Sequence, residues 1–178
     1  MEHYDPSRIG QCISLLFGEH TVYRYGESEV IKFSHVTHLL RDNEINYLRR
    51  DIEIGEKYFG EYMVPTRIAT RADGKRPVLI QPFVHGRILE KSDLKNPALA
   101  QQYRDIINRH RRLLEDGHPA IDLMSGIGFL LGKPRNIYLT DEGMLRLIDV
   151  TSVEMFSAPF RAWVERRQSA MLERYVGM

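Results

Sequence analysis

The spacing of apolar and polar positions changes several times along this chain, and each change marks an element. In residues 20–26, "HTVYRYG", the two classes alternate and the run ends at Gly26. "SEVIKFS" follows, with Val30, Ile31 and Phe33 around Lys32. Two β-rich runs joined at a Gly-containing turn predict a hairpin. In "LLRDNEINYLRRDIEIGEKYF", Leu40, Ile45, Leu48 and Ile52 recur at helical intervals with charges between them, which predicts an amphipathic helix. "MVPTRIATRADGKRPVLIQPFV" predicts two strands around a turn at Asp73-Gly74. The second of these strands is almost continuously apolar, so it is expected to be buried on both faces.

"HGRILEKSDLKNP" lacks either period and is read as a connector. From Ala98 to Asp116 the pattern is helical, through Leu99, Tyr103, Ile106, Ile107, His110, Leu113 and Leu114, with Gly117 as the stop and Pro119 beyond it. "AIDLMSGIGFLLGKPR" holds three glycines and few helix signals, which predicts an irregular loop. Then come "NIYLT", the turn "DEG", and "MLRLIDV", a second hairpin. "APFRAWVERRQSAMLERYVGM" predicts a final helix. The first half is therefore β-rich with one helix, and the second is mainly helical with one hairpin.

Composition adds bounds. At 178 residues, with 43% apolar and 28% charged residues, the chain has the makeup of one globular domain or two small lobes. A formal net charge of +1 gives no reason to expect a nucleic-acid partner. The single cysteine, Cys12, excludes an internal disulfide and suits a reducing compartment. Its setting in "QCISLLF" predicts a buried, inert thiol. "MEHYDPSRIG" lacks the features of a secretory signal, and no apolar run approaches a membrane span. A cytoplasmic location is expected, with signal-independent export left open.

The second predicted hairpin carries the chemistry. Antiparallel strands bring their outer ends together, so Asn136 and Asp149 are expected to reach one small volume. An amide oxygen and a carboxylate are hard oxygen ligands. They suit Mg²⁺, which takes one or two carboxylates and leaves its other positions to water and phosphate. Each residue alone is also an ordinary turn residue.

"NIYLTDEGMLRLIDV" resembles the metal-binding hairpin of the protein-kinase-like fold. The resemblance implies Asn136 and Asp149 as the metal-holding Asn and Asp. The positions of the DFG segment read Asp149-Val150-Thr151, so its Phe and Gly are missing. "EVIKF" is similar to the V-A-I-K strand, which makes Lys32 the lysine at the α- and β-phosphates. Glu44 then sits where the family places the acid that pairs with this lysine. "LIQPFVHGRIL" resembles the strand and hinge that receive adenine through Gln81, Pro82, Phe83 and Val84. "LFGEHTVYRYG" occupies the place of the glycine-rich loop but offers Gly18 and no further glycine until Gly26.

The resemblance implies an α+β, two-lobed kinase-like fold: a β-rich lobe over residues 1–84 and a reduced, mainly helical lobe over 85–178. It also implies ATP and Mg²⁺ as cofactors, and a protein or small-molecule hydroxyl as acceptor. The largest departure is in the catalytic loop. The family's Asp lies five residues before the Asn, where this chain has Leu131. Asp122, upstream in "HPAIDLMSGIG", is the candidate base, with the residues between it and Asn136 as an insertion. Asp122 is equally a residue that caps a turn.

Three functions follow from this resemblance: an active phosphotransferase, a pseudokinase acting as a nucleotide- or partner-binding module, and a nucleotidyl transferase that attaches AMP. Fold alone does not choose among them. Other charged or polar residues carry weaker expectations. His110 is expected to pack in the core, and Arg109–Arg112 to form a solvated helix face. His118 orients the loop or is merely exposed. Lys133 and Arg135 are either solvated or face the transferring phosphate. Arg161, Trp163, Arg166 and Arg167 would make a basic surface on the last helix.

Overall fold

The computed structural model describes residues 2–13, 20–34, 44–70, 77–125, 131–149, 151–152 and 158–176. The chain divides into two compact units, Met1–Arg50 with Val64–Val84, and Asp51–Met63 with His85–Met178. The composition is mixed α+β, with a large sheet and few helices.

The first unit is built on a six-stranded sheet. Its strands are β1 (Glu2–His3), β2 (Ile9–Cys12), β3 (His20–Tyr25), β4 (Glu29–Ser34), β5 (Arg67–Thr70) and β6 (Pro77–Pro82), in the spatial order β1-β5-β6-β4-β3-β2. The predicted β3–β4 hairpin forms, with Tyr25 opposite Glu29 and Val22 opposite Lys32. Gly26 supplies the positive φ of +65° that its turn requires. β6 lies inside the sheet, antiparallel to β4 on one side and β5 on the other, and Pro77 through Gln81 are all buried. This explains its nearly unbroken apolar sequence. Asp73-Gly74 lies outside the described residues, as does Leu40.

Alternation sorts the side chains of this sheet onto two faces. Tyr4, Tyr25, Ile31, Ala69, Val78 and Ile80 form the unit's core, with Ile9, Tyr23 and Phe33 packed against it. Lys32 alternates with Ile31 and stands opposite Leu79, so it belongs to the other face. The polar amino terminus, which shows no strand period, supplies two strands. β1 runs parallel to β5, and β2 lies at the sheet edge against β3 with an irregular register between Ile9 and Cys12. That edge position corrects the expectation for Cys12, which is exposed. Among the described residues β2 pairs with β3 alone, and its open edge leaves Cys12 exposed.

The helix α1 (Glu44–Phe59) has Leu48 and Ile52 buried, as its periodicity predicts. A 3-10 turn at Gly60–Tyr62 follows it. In the second unit, α2 (Pro97–Glu115) starts at Asn96, whose side chain accepts from the Ala98 N–H, with Pro97 in the first turn. It ends where Gly117 adopts φ +79°. There the His118 N–H returns to Leu113 O and the Gly117 N–H to Leu114 O, so orphan carbonyls are satisfied. Leu99, Tyr103, Ile106, Ile107, His110 and Leu113 are its buried stripe.

The expected connector is partly ordered structure. β7 (Gly86–Ile88) pairs with β8 (Ile137–Thr140), which pairs with β9 (Leu145–Leu147). A 3-10 turn, Lys91–Lys95, precedes α2. Three residues are too few to reveal a strand period, and the pairing is long-range. The last helix, α3 (Ala158–Val176), buries Val164, Gln168, Leu172 and Tyr175 along one stripe.

Arg109 also departs from expectation. It turns inward to Glu61 at 2.8 Å and Asp105 at 2.9 Å, and donates to the carbonyls of Tyr58 and Phe59. Arg109 thereby holds the end of α1 and the turn after it against α2. Nearby, Tyr58 donates to Asp116 and meets His118 edge-on.

Candidate active site

The β8–β9 hairpin brings the backbones at its two ends together. Ile137 stands opposite Leu147, and the next rung is the Ile148 N–H donating to Asn136 O at 3.1 Å. Asn136 therefore lies opposite Ile148, and Asp149 follows as the next residue along the backbone. Asn136, Asp149 and Asp122 are all buried.

Four further hydrogen bonds tie these residues together. Asn136 Nδ2 donates to the backbone oxygen of Asp122 at 2.7 Å. The Asp122 N–H donates to Thr151 O at 3.0 Å. Asp149 Oδ1 accepts from Thr151 N at 3.2 Å and from Thr151 Oγ1 at 3.1 Å. The hairpin thus brings Asp122, Asn136 and Asp149 into one hydrogen-bonded knot within the second unit, although 13 residues separate Asp122 from Asn136. With its nitrogen committed to Asp122, Asn136 presents its oxygen as the remaining end.

Asp122 is also a turn cap. Its Oδ1 accepts from Met124 N at 2.9 Å and from Ser125 N at 2.8 Å. These bonds stabilise a turn in which Ser125 adopts φ +58°. Both sequence readings of Asp122 therefore describe one geometry: the cap fixes where the carboxylate stands.

The segment carrying Asp122 is held by a residue that the sequence reading did not single out. Gln168 on α3 has no exposed surface. Its Nε2 donates to Ile121 O at 2.7 Å and its Oε1 accepts from Leu123 N at 3.2 Å, bracketing Asp122. The same Nε2 lies 2.9 Å from His110 Nε2. Burial pushes His110 down to about 4, so the ring is neutral near pH 7 and accepts from the amide. The available sequence signal was a lone glutamine on the otherwise apolar stripe of Val164, Leu172 and Tyr175. Thr151, two residues after Asp149, was legible as an Asx-type turn residue.

No model of a known protein family matches the chain, and no curated protein matches it. Among solved structures, the chain is similar to Legionella pneumophila Lpg2603 kinase bound to IP6. The identity is 11%, the TM-score is 0.57, and the match covers 93% of this chain. This chain has a kinase-like fold. It spans 58% of the Legionella chain, so it corresponds to part of that protein.

In the first unit of this kinase-like fold, Lys32 is 6% exposed, so it is not a solvent-facing strand lysine. Glu44 is the first residue of α1, but its side chain lies outside the described residues, and so does the expected pairing with Lys32. Gly18 and the surrounding loop also lie outside them, as does Val150. Gln81 is buried and donates to Thr66 Oγ1 at 2.6 Å. The Phe83 N–H donates to Ser28 O at 2.7 Å, and the Arg24 guanidinium stacks 3.3 Å from the Phe83 ring centroid. Val84 is half-buried.

In the second unit, Leu131, at the position of the family's Asp, is 58% exposed. Lys133 pairs with Glu90 at 2.9 Å. Trp163, Arg166, Arg167, Ala170, Met171 and Arg174 line a cavity of about 410 Å³ along α3; Arg161 is not part of that lining. Among the described residues, no three His, Cys, Asp or Glu side chains cluster to hold a metal by themselves, and no helix is long and apolar enough to cross a membrane.

Proposed function

We propose that the protein is an ATP- and Mg²⁺-dependent phosphotransferase that moves the γ-phosphoryl group to a hydroxyl of a protein or small molecule. The supporting observation is the knot of Asp122, Asn136 and Asp149. Asn136 is anchored through its nitrogen, which leaves its oxygen for a cation. Asp149, held through Oδ1 by Thr151, would supply a carboxylate to the same cation. Two oxygen ligands fit Mg²⁺, whose remaining positions go to water and phosphate. When bound, Mg²⁺ neutralises charge on the transferring phosphoryl group.

In this reading Lys32 contacts the α- and β-phosphates and Glu44 holds Lys32. The hinge receives adenine mainly through Val84, because the Phe83 N–H is already engaged. Gln81 shapes the strand leading into it. The Asp122 carboxylate, fixed by its turn cap, orients the acceptor hydroxyl and takes its proton.

Incubation with γ-labelled and, in parallel, α-labelled ATP tests the reaction class. Label moving only from γ to an acceptor is expected. Transfer of the α-label would replace this reading with nucleotidyl transfer. Nucleotide stabilisation without any transfer would make the protein a binding module. Asp149→Ala should abolish Mg²⁺-dependent stabilisation by ATP. Asp122→Asn keeps the cap but removes the base, so it should bind ATP normally and lose roughly 100-fold or more in turnover. Unchanged turnover would remove Asp122 from the mechanism.

A further inference from the structure

Asp51, on α1, is 3% exposed and makes a contact 101 residues along the chain: its Oδ2 accepts from the Ser152 N–H at 2.8 Å. Burying a carboxylate costs several kcal/mol unless its lone pairs are used, so an acid on the buried side of an amphipathic helix calls for a purpose. An apolar residue would suit the neighbours Leu48 and Ile52. The recipient is the backbone just after Asp149. That short segment is held through Thr151 by Asp149 and Asp122, and Ser152 forms a bridge with Ile121. Asp51 thus ties α1 to this segment by a side-chain hydrogen bond.

We propose that Asp51 is a positioning residue: it latches the Ser152 amide and thereby fixes the turn that aims the Asp149 carboxylate at the metal. The inference rests on the reading of Asp149 as a metal ligand. In the kinase-like fold, the residues after this Asp are usually Phe and Gly, and here they are Val150 and Thr151. A charge-assisted hydrogen bond, stronger and more directional than a neutral one, then sets the backbone.

The test titrates Mg²⁺ at saturating ATP and reads the midpoint of thermal stabilisation in the full chain. Asp51→Leu removes the acceptor, and its Mg²⁺ midpoint should rise about tenfold, as seen when a residue supporting a metal ligand is lost. Asp51→Asn can still accept from the Ser152 N–H, and its midpoint should return close to the wild-type value. A purely structural role would lower the melting temperature of Asp51→Leu without moving the midpoint, and that result overturns the proposal. So does an Asp51→Asn midpoint as poor as that of Asp51→Leu.

If Asp51→Leu does not fold, Asp51→Glu decides. It keeps the charge but shifts the acceptor by one carbon, so its midpoint must rise; an unchanged midpoint refutes the latch. A wild-type protein without Mg²⁺-dependent stabilisation would refute the functional reading itself. A normal wild type with unresponsive variants would refute only the role of Asp51.

Discussion

Acidification should weaken the second unit through His110, and the size of the effect follows from its burial. The imidazole is 2% exposed and accepts from Gln168, and desolvation lowers it from 6.5 to about 4. Above pH 6.5 the ring is neutral in both folded and unfolded chains, and its contribution to stability is full. As pH falls below 6.5 the unfolded chain takes the proton first, so stability drops until about pH 4 and is then constant. With those two values, linkage gives a loss of about 2 kcal/mol at pH 5 and about 3 kcal/mol at pH 4.

For a chain of this length, about 2 kcal/mol corresponds to a fall in melting temperature of roughly 4–8 °C. Urea unfolding of wild type and His110→Phe at pH 7 and pH 5 isolates the effect. Phe fills similar space without titrating, and carboxylate contributions common to both proteins cancel in the difference. The wild type should lose about 2 kcal/mol more than the variant between the two pH values. Equal losses would show that His110 titrates normally and that its burial and bond to Gln168 are misread.

Two other outcomes are expected. At Gly86, φ is +150° and an added Cβ would lie 2.3 Å from Leu139 O, so Gly86→Ala should cost about 3 kcal/mol in urea unfolding; a loss under about 1 kcal/mol would deny the β7–β8 pairing. The Lys133–Glu90 pair is 43% and 46% exposed, so Lys133→Ala should cost less than about 1 kcal/mol and leave turnover unchanged; a large turnover loss would instead place Lys133 at the phosphate.

Local pattern was enough for the larger elements. The β3–β4 hairpin, β6, α1, α2, the β8–β9 hairpin and α3 each carry a period, a cap or a turn signal within a dozen or so residues. The sequence also placed Asn136 and Asp149 at the ends of one hairpin, because antiparallel pairing makes that proximity a local property. Only tertiary structure decided the rest. The strands β1, β2 and β7 are too short to show a period and exist through partners distant in the chain. Cys12 is exposed because β2 is an edge. Asp122 reaches Asn136, Gln168 grips both sides of Asp122, and Asp51 binds the Ser152 amide across long separations. Such contacts leave no periodic trace: a hydrogen bond between remote residues depends on where packing brings their backbones, and the sequence near either end does not encode that meeting.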